Sequence, residues 1–228
     1  MAQRKCFAYC NNFYTIGIIN FRYIWLYFIK SLDYGVHMFA YKKKYFLIIE
    51  NIKDIDLSNI KLTKKFIIIY RNKNKIDNIH KLLRFRRYCK SKKIDFYISN
   101  DSKLMVFLNA DGLYISAHNT SLRLSKFKNS NYKIIGSAHN IKELNLKILQ
   151  GCTYFIFSRL FETAYKNKEG FIGVVRFNLL KLSRKEDLVP LGGINLSNLN
   201  KLHSVKSNSF ALLSEVKKKP AKIFSRLF

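Results

Sequence analysis

The sequence VPLGGINLSN, residues 189–198, contains the pattern from which the fold can be read. A short apolar run ends in Gly192 and Gly193, and a predicted helix start follows. The two glycines have no Cβ atom, so their backbone can adopt positive φ and approach a ligand closely. Asn195 or Ser197 would cap the following helix, whose free N–H groups attract anions. By itself the stretch is more typical of a plain turn, but late in a barrel of alternating strands and helices it predicts a phosphate site.

From Lys43 onward, apolar runs of strand length alternate with segments of helical period. Eight strands are predicted: Tyr45–Ile49, Phe66–Tyr70, Asp95–Ser99, Gly112–Ser116, Lys133–Gly136, Thr153–Phe157, Leu188–Leu191 and Ser209–Leu213. They are continuously apolar and β-branched, as parallel strands covered on both faces are. Helices are predicted at Asp77–Lys90, Asn140–Gln150, Ser197–His203 and Glu215–Phe228, with a short or missing helix in Ile52–Leu62. The pattern predicts an α/β fold, a compact (β/α)8 TIM barrel, and an open doubly wound sheet is the rival arrangement.

Residues 1–37 differ from the rest, because they contain the only Trp, half of the cysteines and many aromatic residues. The segment Thr15–Ile29 is apolar, but it is short for a bilayer span and contains Arg22. A small-x-small cleavage site does not follow cleanly, which argues against a signal peptide. We expect an over-extended start or a dispensable extension over residues 1–37, with a membrane anchor as the alternative, and one barrel domain over residues 43–228.

The chain has 42 Lys and Arg residues against 14 Asp and Glu residues, a formal net charge of +28. Such a balance suits nucleic-acid binding. The lysines are spread along the chain, however, and Ile, Asn, Phe and Tyr, which also have A/T-rich codons, are abundant with them. A drift in genome composition explains all five, so we expect an anionic small-molecule substrate rather than a nucleic acid or a membrane.

The four cysteines form no CxxC pair and no zinc-ligand spacing with histidine. Unpaired thiols are typical of a reducing compartment, so a cytoplasmic protein is expected. The sequence is compatible with a homo-oligomer and does not determine the oligomeric state.

In a (β/α)8 barrel, functional residues lie at the C-terminal ends of the strands. Polar residues and glycines follow seven of the predicted strands: Arg71, Lys73, Asn100, Asp101, Ser116–Asn119, Ser137–Asn140, Ser158, Arg159, Thr163, Lys166, Gly192, Gly193 and Ser214. Together they have the chemistry of a phosphate or pyrophosphate site, with Asp101 available for a hard cation. Simpler roles also fit, since Asp101 would cap the next helix and His118 would be structural or exposed. The sequence contains no hydrolase triad and no P-loop motif.

Three segments, in this order, resemble thiamine phosphate synthase and its sister enzyme, thiazole tautomerase. They are YISNDSKLMVFLNADGLYIS at residues 97–116, KIIGSAHNIKELNLKILQGCTYFIFSRLFET at residues 133–163, and VPLGGINLSN. The resemblance extends from about Tyr45 to Phe228. It implies a (β/α)8 barrel that couples an aminopyrimidine pyrophosphate to a thiazole phosphate and releases pyrophosphate, with Mg2+ as cofactor.

The resemblance also implies a role for each matching residue. The pyrophosphate-binding residues would be Arg71, Lys73 and Asn100, the phosphate-binding residues Thr163, Gly192, Gly193 and Ser214, the catalytic residues Ser137, Lys166 and His139, and the metal ligands Asp101 and Asn119.

The chain departs from the family pattern at several positions. The family's Gln two places before Arg71 is Ile69, and the Gly-Gln-x-Asp after the fourth strand is Ser-Ala-His-Asn. Asn119 therefore offers a neutral oxygen where the family has a second magnesium carboxylate, which weakens binding of a hard cation. Phe161–Thr163 resembles the tautomerase branch, in which His139 would transfer protons.

We therefore expect a divergent thiamine phosphate synthase. A thiazole tautomerase or an altered thiazole-phosphate-binding relative is the alternative, and a basic RNA-associated protein is a distant one.

Overall fold

Eight parallel strands form a closed barrel in the computed structural model, which describes residues 44–60, 63–72, 77–163, 170–195, 197–214 and 216. The strands are β1 (Lys44–Ile49), β2 (Phe66–Tyr70), β3 (Asp95–Ser99), β4 (Gly112–Ile115), β5 (Lys133–Ala138), β6 (Tyr154–Ser158), β7 (Asp187–Leu191) and β8 (Ser209–Leu212). Each strand pairs with the next in sequence, and β8 pairs with β1. The prediction of a (β/α)8 barrel is confirmed, and the alternative prediction of an open doubly wound sheet is wrong.

The described part of the chain contains four α-helices, α1 (Ile79–Ser91), α2 (Ser102–Phe107), α3 (Ile141–Leu149) and α4 (Gly173–Leu182). Several connections are 3-10 helices instead: Ile52–Asp54, Leu57–Asn59, Thr63–Lys65, Leu122–Asn129 and Leu199–Ser204. The α-helix predicted at Ser197–His203 is thus a turn followed by a 3-10 helix. Helix α4 was not predicted, because its apolar residues lie on all sides and hide the helical period.

The connection after β1 lacks a full helix, as expected, because its polar side chains bond to nearby backbone groups. The Asn51 side chain accepts a hydrogen bond from the Lys53 N–H at 2.8 Å, and the Asp54 carboxylate accepts from the Glu50 and Asn51 N–H groups at 2.9 Å. Such local bonds compete with a continuing helix.

The barrel interior is filled by side chains from all eight strands. The central cluster consists of Phe46, Ile48, Ile67, Ile69, Tyr97, Tyr114, Ile135, Ile156, Val189, Leu191 and Ala211. Every residue of β2 is buried, because one face points into the barrel and the other is covered by the outer layer. This two-sided burial explains why the strands read as continuous apolar runs.

All of these described residues belong to one unit, Tyr41–Phe228. The expected extension over residues 1–37, and nearly all of the helix predicted at Glu215–Phe228, lie outside the described residues. Among the described helices, none has the length and apolar character needed to cross a membrane.

A partly buried ion pair lies at the N-terminal end of the barrel, opposite the strand ends that carry the candidate site. Arg86 of α1 donates to the Asn109 carbonyl from Nε at 3.0 Å and from Nη2 at 2.9 Å, and Nη2 also bonds Asp111 Oδ1 at 2.9 Å. The other Asp111 oxygen accepts from the Phe96 N–H at 2.7 Å. The arginine therefore links α1 to β3 and to the start of β4.

Replacing Arg86 should destabilise the barrel far more than replacing its neighbour. We expect Arg86→Leu to lower the free energy of unfolding by about 2–3 kcal/mol, because the Asn109 carbonyl and the Asp111 carboxylate lose their partner. Arg87→Leu is the matched control, since Arg87 is exposed, and it should change stability by less than about 0.5 kcal/mol. Urea unfolding measures both values, and equal stability of the two variants would contradict the role of the ion pair.

Candidate functional site

A cavity of about 640 Å³ lies where the C-terminal ends of the strands meet. Among the described residues, its lining contains two arginines and two histidines but no Asp or Glu: Arg71, His118, His139, Ser158, Arg159, Thr163, Leu191–Ile194 and Ala211–Ser214. A concave site with cationic groups and no carboxylate attracts an anionic ligand. The structure thus brings Arg71, His139, Thr163, Gly192, Gly193 and Ser214, all predicted site residues, to one cavity.

The glycine pair that follows β7 has the backbone conformation that its sequence predicts. Gly192 has φ of 100° and Gly193 has φ of 68°. The loop after β6 runs alongside, because the Leu160 N–H donates to the Leu191 carbonyl at 2.9 Å and the Phe161 N–H donates to the Gly192 carbonyl at 3.0 Å. These bonds continue the strand pairing beyond the barrel and bring the two loops together at the cavity.

Asparagine side chains hold the other side of the glycine loop. Asn198 donates from its amide to the Gly193 carbonyl at 2.7 Å, and Asn195 Oδ1 accepts from the Ser197 N–H at 3.0 Å. Asn195 therefore caps a turn and not an α-helix, which corrects the expected helix start. The residues after this turn form the 3-10 helix Leu199–Ser204.

Arg159 belongs to the predicted set of strand-end residues, without an individual role, and it lines the cavity. Its Nη1 donates to Thr163 Oγ1 at 3.3 Å. Its side chain packs against the glycine loop, where a Cβ built on Gly192 would lie 3.0 Å from Arg159 Cγ. The sequence signal was a cation directly after β6. Lys166, the predicted catalytic residue of this loop, lies outside the described residues.

Arg71 enters the cavity from the end of β2. Its N–H donates to the Ile49 carbonyl at 2.8 Å, and Nη2 lies 3.5 Å from Glu50 Oε1. Its Nε is buried and has no hydrogen-bond partner among the described residues. A buried donor without a partner costs about 1–3 kcal/mol of stability. Lys73, its predicted partner cation, lies outside the described residues.

The loop that carries Arg71 is tied to the loop after β1 through Asp77. The Tyr70 hydroxyl donates to Asp77 Oδ2 at 3.0 Å, and the Asn51 amide donates to Asp77 Oδ1 at 3.0 Å. The Ile52 N–H bonds the same carboxylate at 3.2 Å. One acidic side chain thus links the loop after β1 to the Tyr70 side chain at the end of β2.

Asn100 joins the loops after β3 and β4 instead of facing the cavity. Its backbone has φ of 58°, and its Oδ1 accepts from the Ser116 N–H at 3.0 Å and from the Asn119 amide at 3.2 Å. Its own amide donates to Ser116 Oγ at 2.9 Å. Within the described part of the chain Asn100 does not line the cavity, so its role in pyrophosphate binding stays a prediction.

The two predicted metal ligands do not form a magnesium site in this arrangement. Asp101 Oδ1 caps α2 by accepting from the Leu104 N–H at 2.9 Å, and Asn119 Oδ1 accepts from the Ser121 N–H at 3.0 Å. No group of three or more His, Cys, Asp or Glu side chains is placed to hold a metal among the residues described. The neutral Asn119 Oδ1 bonds within its own loop, and Asp101 is the one carboxylate of the predicted pair. These two residues therefore do not fit a hard divalent cation.

Two buried polar residues, Lys147 of α3 and Gln150 directly after it, hold the main chain of the loop that contains Asn119. Lys147 Nζ donates to the Asn119 carbonyl at 2.7 Å and to Gln150 Oε1 at 3.0 Å. Gln150 donates from its amide to the Asn119 and Ser121 carbonyls at 2.9 and 3.0 Å. Burial lowers the pKa of Lys147, and nearby Cys152 and Glu143 oppose that shift. The sequence had no signal for this arrangement, because a lysine in a helix ordinarily faces solvent.

The two Ser-Ala-His-Asn motifs meet at the mouth of the barrel, because they lie at the C-terminal ends of the neighbouring strands β4 and β5. The rings of His118 and His139 lie 5.9 Å apart between centroids, with planes inclined by 30°. His139 Nδ1 is 3.0 Å from Glu143 Oε2, and the His139 backbone N–H donates to the same oxygen at 2.7 Å. His118 was expected to be structural or exposed, and it is exposed but also lines the cavity.

The contact with Glu143 determines which ring nitrogen of His139 is free. Burial alone would raise the pKa of Glu143, but hydrogen bonds from His139 and Asn140 lower it overall, which favours the carboxylate. A carboxylate only accepts hydrogen bonds, so Nδ1 of His139 is the donor. In the neutral ring Nε2 then carries the lone pair and is able to accept a proton.

Ser137, the predicted catalytic serine, is buried on β5 and is not part of the cavity lining within the described residues. Burial raises the pKa of the Tyr114 hydroxyl, and hydrogen bonds with Ser137 and Arg71 oppose that shift. Ser137 and Arg71 therefore both contact the Tyr114 hydroxyl, and the catalytic role of Ser137 stays a prediction.

Comparison with known proteins shows the family to which this chain belongs. The family model described as thiamine monophosphate synthase matches residues 57–216. The thiamine-phosphate synthase of Pelagibacter ubique is 30% identical over 181 residues, covering 75% of this chain and 87% of that protein. A thiamine-phosphate synthase of Prochlorococcus marinus is 26% identical over 153 residues, covering 66% of this chain and 44% of that protein. The chain thus spans less than half the length of the second relative.

The fold is similar to that of a solved structure, the thiamine phosphate pyrophosphorylase from Pyrococcus furiosus. The TM-score is 0.64 at 18% sequence identity, and the match covers 82% of this chain and 94% of that chain. KGPDC from Streptococcus mutans has the same fold at lower similarity, with a TM-score of 0.53 and 10% identity. Since the family model matches residues 57–216, well over half of the chain, this protein belongs to the thiamine monophosphate synthase family.

Proposed function

We propose that this protein is a thiamine phosphate synthase that couples an aminopyrimidine pyrophosphate to a thiazole phosphate. The observation that carries the proposal is the cavity, whose described lining has Arg71 on one side, Arg159 on another and no carboxylate. Two anionic groups, one on each substrate, match a cavity with separate cations. Family membership supports the same reaction.

Arg71 would bind the pyrophosphate. Arg71 lines the cavity, and a phosphate oxygen there would accept charge-assisted hydrogen bonds from its guanidinium group. As the bond to pyrophosphate breaks, negative charge grows on the leaving oxygen, and a preplaced guanidinium stabilises that charge. Lys73 and Lys166 are proposed to add to this stabilisation.

The glycine loop, Thr163 and Ser214 would bind the phosphate of the thiazole. The thiazole nitrogen then attacks the pyrimidine carbon from which pyrophosphate departs, forming the new carbon–nitrogen bond. Arg159, which donates to Thr163, lies within the same part of the cavity. Because Asp101 and Asn119 do not form a magnesium site, no step of this mechanism is assigned to a metal.

A thiazole tautomerase is the second candidate, and the geometry of His139 favours it specifically. Glu143 holds Nδ1 of the ring, which leaves Nε2 as a proton acceptor beside the cavity. A base in this position would remove a proton from the thiazole phosphate and return it at another ring position.

Replacing Arg71 should abolish the synthase reaction. We expect Arg71→Ala to reduce the rate of thiamine phosphate formation by about 100-fold or more, since a guanidinium no longer meets the leaving group. The measurement is product formation from both purified substrates, separated by chromatography. Arg123→Ala, at an exposed position on the Leu122–Asn129 helix, is the control and should retain the wild-type rate. A wild-type protein that converts a thiazole tautomer but makes no thiamine phosphate would overturn the synthase proposal in favour of the tautomerase.

Gly193 should be essential for thiazole phosphate binding. A Cβ at this position would lie 2.3 Å from the Glu162 carbonyl oxygen, so Gly193→Ala must displace the loop after β6. We expect the KM for thiazole phosphate to rise by tenfold or more. Gly170→Ala is the matched control, because Gly170 has a similar φ of 65° with nothing within 4 Å, and it carries only the backbone cost of about 1–2 kcal/mol. Similar KM values for the two variants would exclude Gly193 from the phosphate site.

A further inference from the structure

His118 is a polar group at the cavity that the family pattern leaves without a role. It lines the cavity beside His139, and neither of its ring nitrogens has a hydrogen-bond partner among the described residues. His139, by contrast, is held by Glu143. The imidazole of His118 is therefore free to donate to a ligand.

The residue next to His118 is the one that departs from the metal site of the family. Both polar atoms of the Asn119 side chain are used within the protein, Oδ1 by the Ser121 N–H and Nδ2 by Asn100. Its carbonyl accepts from both Lys147 and Gln150. Turning the Asn119 side chain toward a ligand would break its two side-chain hydrogen bonds, and the two bonds to its carbonyl hold the backbone of the loop in place.

The same rigid loop presents His118 to the cavity. A side chain on a fixed backbone loses less conformational entropy when it binds a ligand than one on a mobile loop. No carboxylate competes for the imidazole N–H, since the described lining contains none. The cavity thus offers a neutral or cationic N–H donor beside the strand end where the family has a metal ligand.

We propose that His118 is a pyrophosphate-binding residue, and that its N–H donates to a phosphate oxygen in place of the metal contact that Asn119 no longer supplies. This proposal rests on the synthase function proposed above. Under this proposal, the side chains of Arg71 and His118 bind the pyrophosphate directly, and a bridging divalent cation is not needed.

Calorimetric titration with inorganic pyrophosphate, at one pH and in the presence of EDTA, tests the proposal. We expect the wild-type protein to bind without metal and His118→Phe to weaken binding by about 10- to 100-fold, the range for a hydrogen bond to a charged group. His118→Gln keeps an N–H donor and should retain most of the affinity. His80→Phe, at an exposed position on α1, is the matched control and should bind like the wild type.

Each other outcome contradicts the proposal. Wild-type binding that requires added Mg2+, unchanged affinity in His118→Phe, or equal losses in the Phe and Gln variants would each exclude a donor role for His118. If His118→Phe does not fold, His118→Ala replaces it in the same assay.

Pyrophosphate binding by Arg71→Ala, measured in the same way, distinguishes a failure of the His118 proposal from a failure of the proposed synthase function. A protein that binds pyrophosphate through Arg71 but not through His118 retains the synthase proposal. A wild-type protein that neither binds pyrophosphate nor forms thiamine phosphate contradicts both.

Discussion

The pairing of β8 with β1 is the constraint on which the site depends. Lys44 to Leu47 align with Ser209 to Leu212, so the last strand closes the barrel against the first. Closure places the C-terminal ends of all eight strands around one mouth. Arg71 and Ser214 are distant in sequence, yet they line the same cavity for this reason alone.

The loops at that mouth are positioned by polar side chains that bond to backbone groups. Asp77 orders the loops after β1 and β2, Asn100 joins those after β3 and β4, and Asn198 holds the glycine loop after β7. Irregular backbone lacks regular hydrogen-bonding partners, so each loop needs such groups to satisfy its N–H and carbonyl groups. The asparagines near the strand ends thus help to hold these loops in one conformation.

Strands could be predicted to within two residues at each end because both of their faces are buried, which makes them continuous apolar runs. Outer elements were harder, since a 3-10 helix such as Leu122–Asn129 and the apolar helix α4 lack a clear α-helical period. For the same reason, some residues of the candidate site could be predicted from the sequence and others could not. Arg71, Thr163, Gly193 and Ser214 lie in the loops that follow strands and could be predicted, whereas the use of Asn100 and Asn119 as loop-joining residues could not.

The sequence by itself determined the strand positions, the barrel and the set of residues that follow each strand, because burial on two faces and the order of motifs are local properties. Only the tertiary structure decided which of those residues face the cavity. Gly192 and Gly193 bend the chain toward the loop after β6, and the duplicate motifs place His118 beside His139. Lys147 and Gln150 hold the backbone carbonyl of Asn119, through contacts between residues 28 and 31 positions apart that no local pattern encodes.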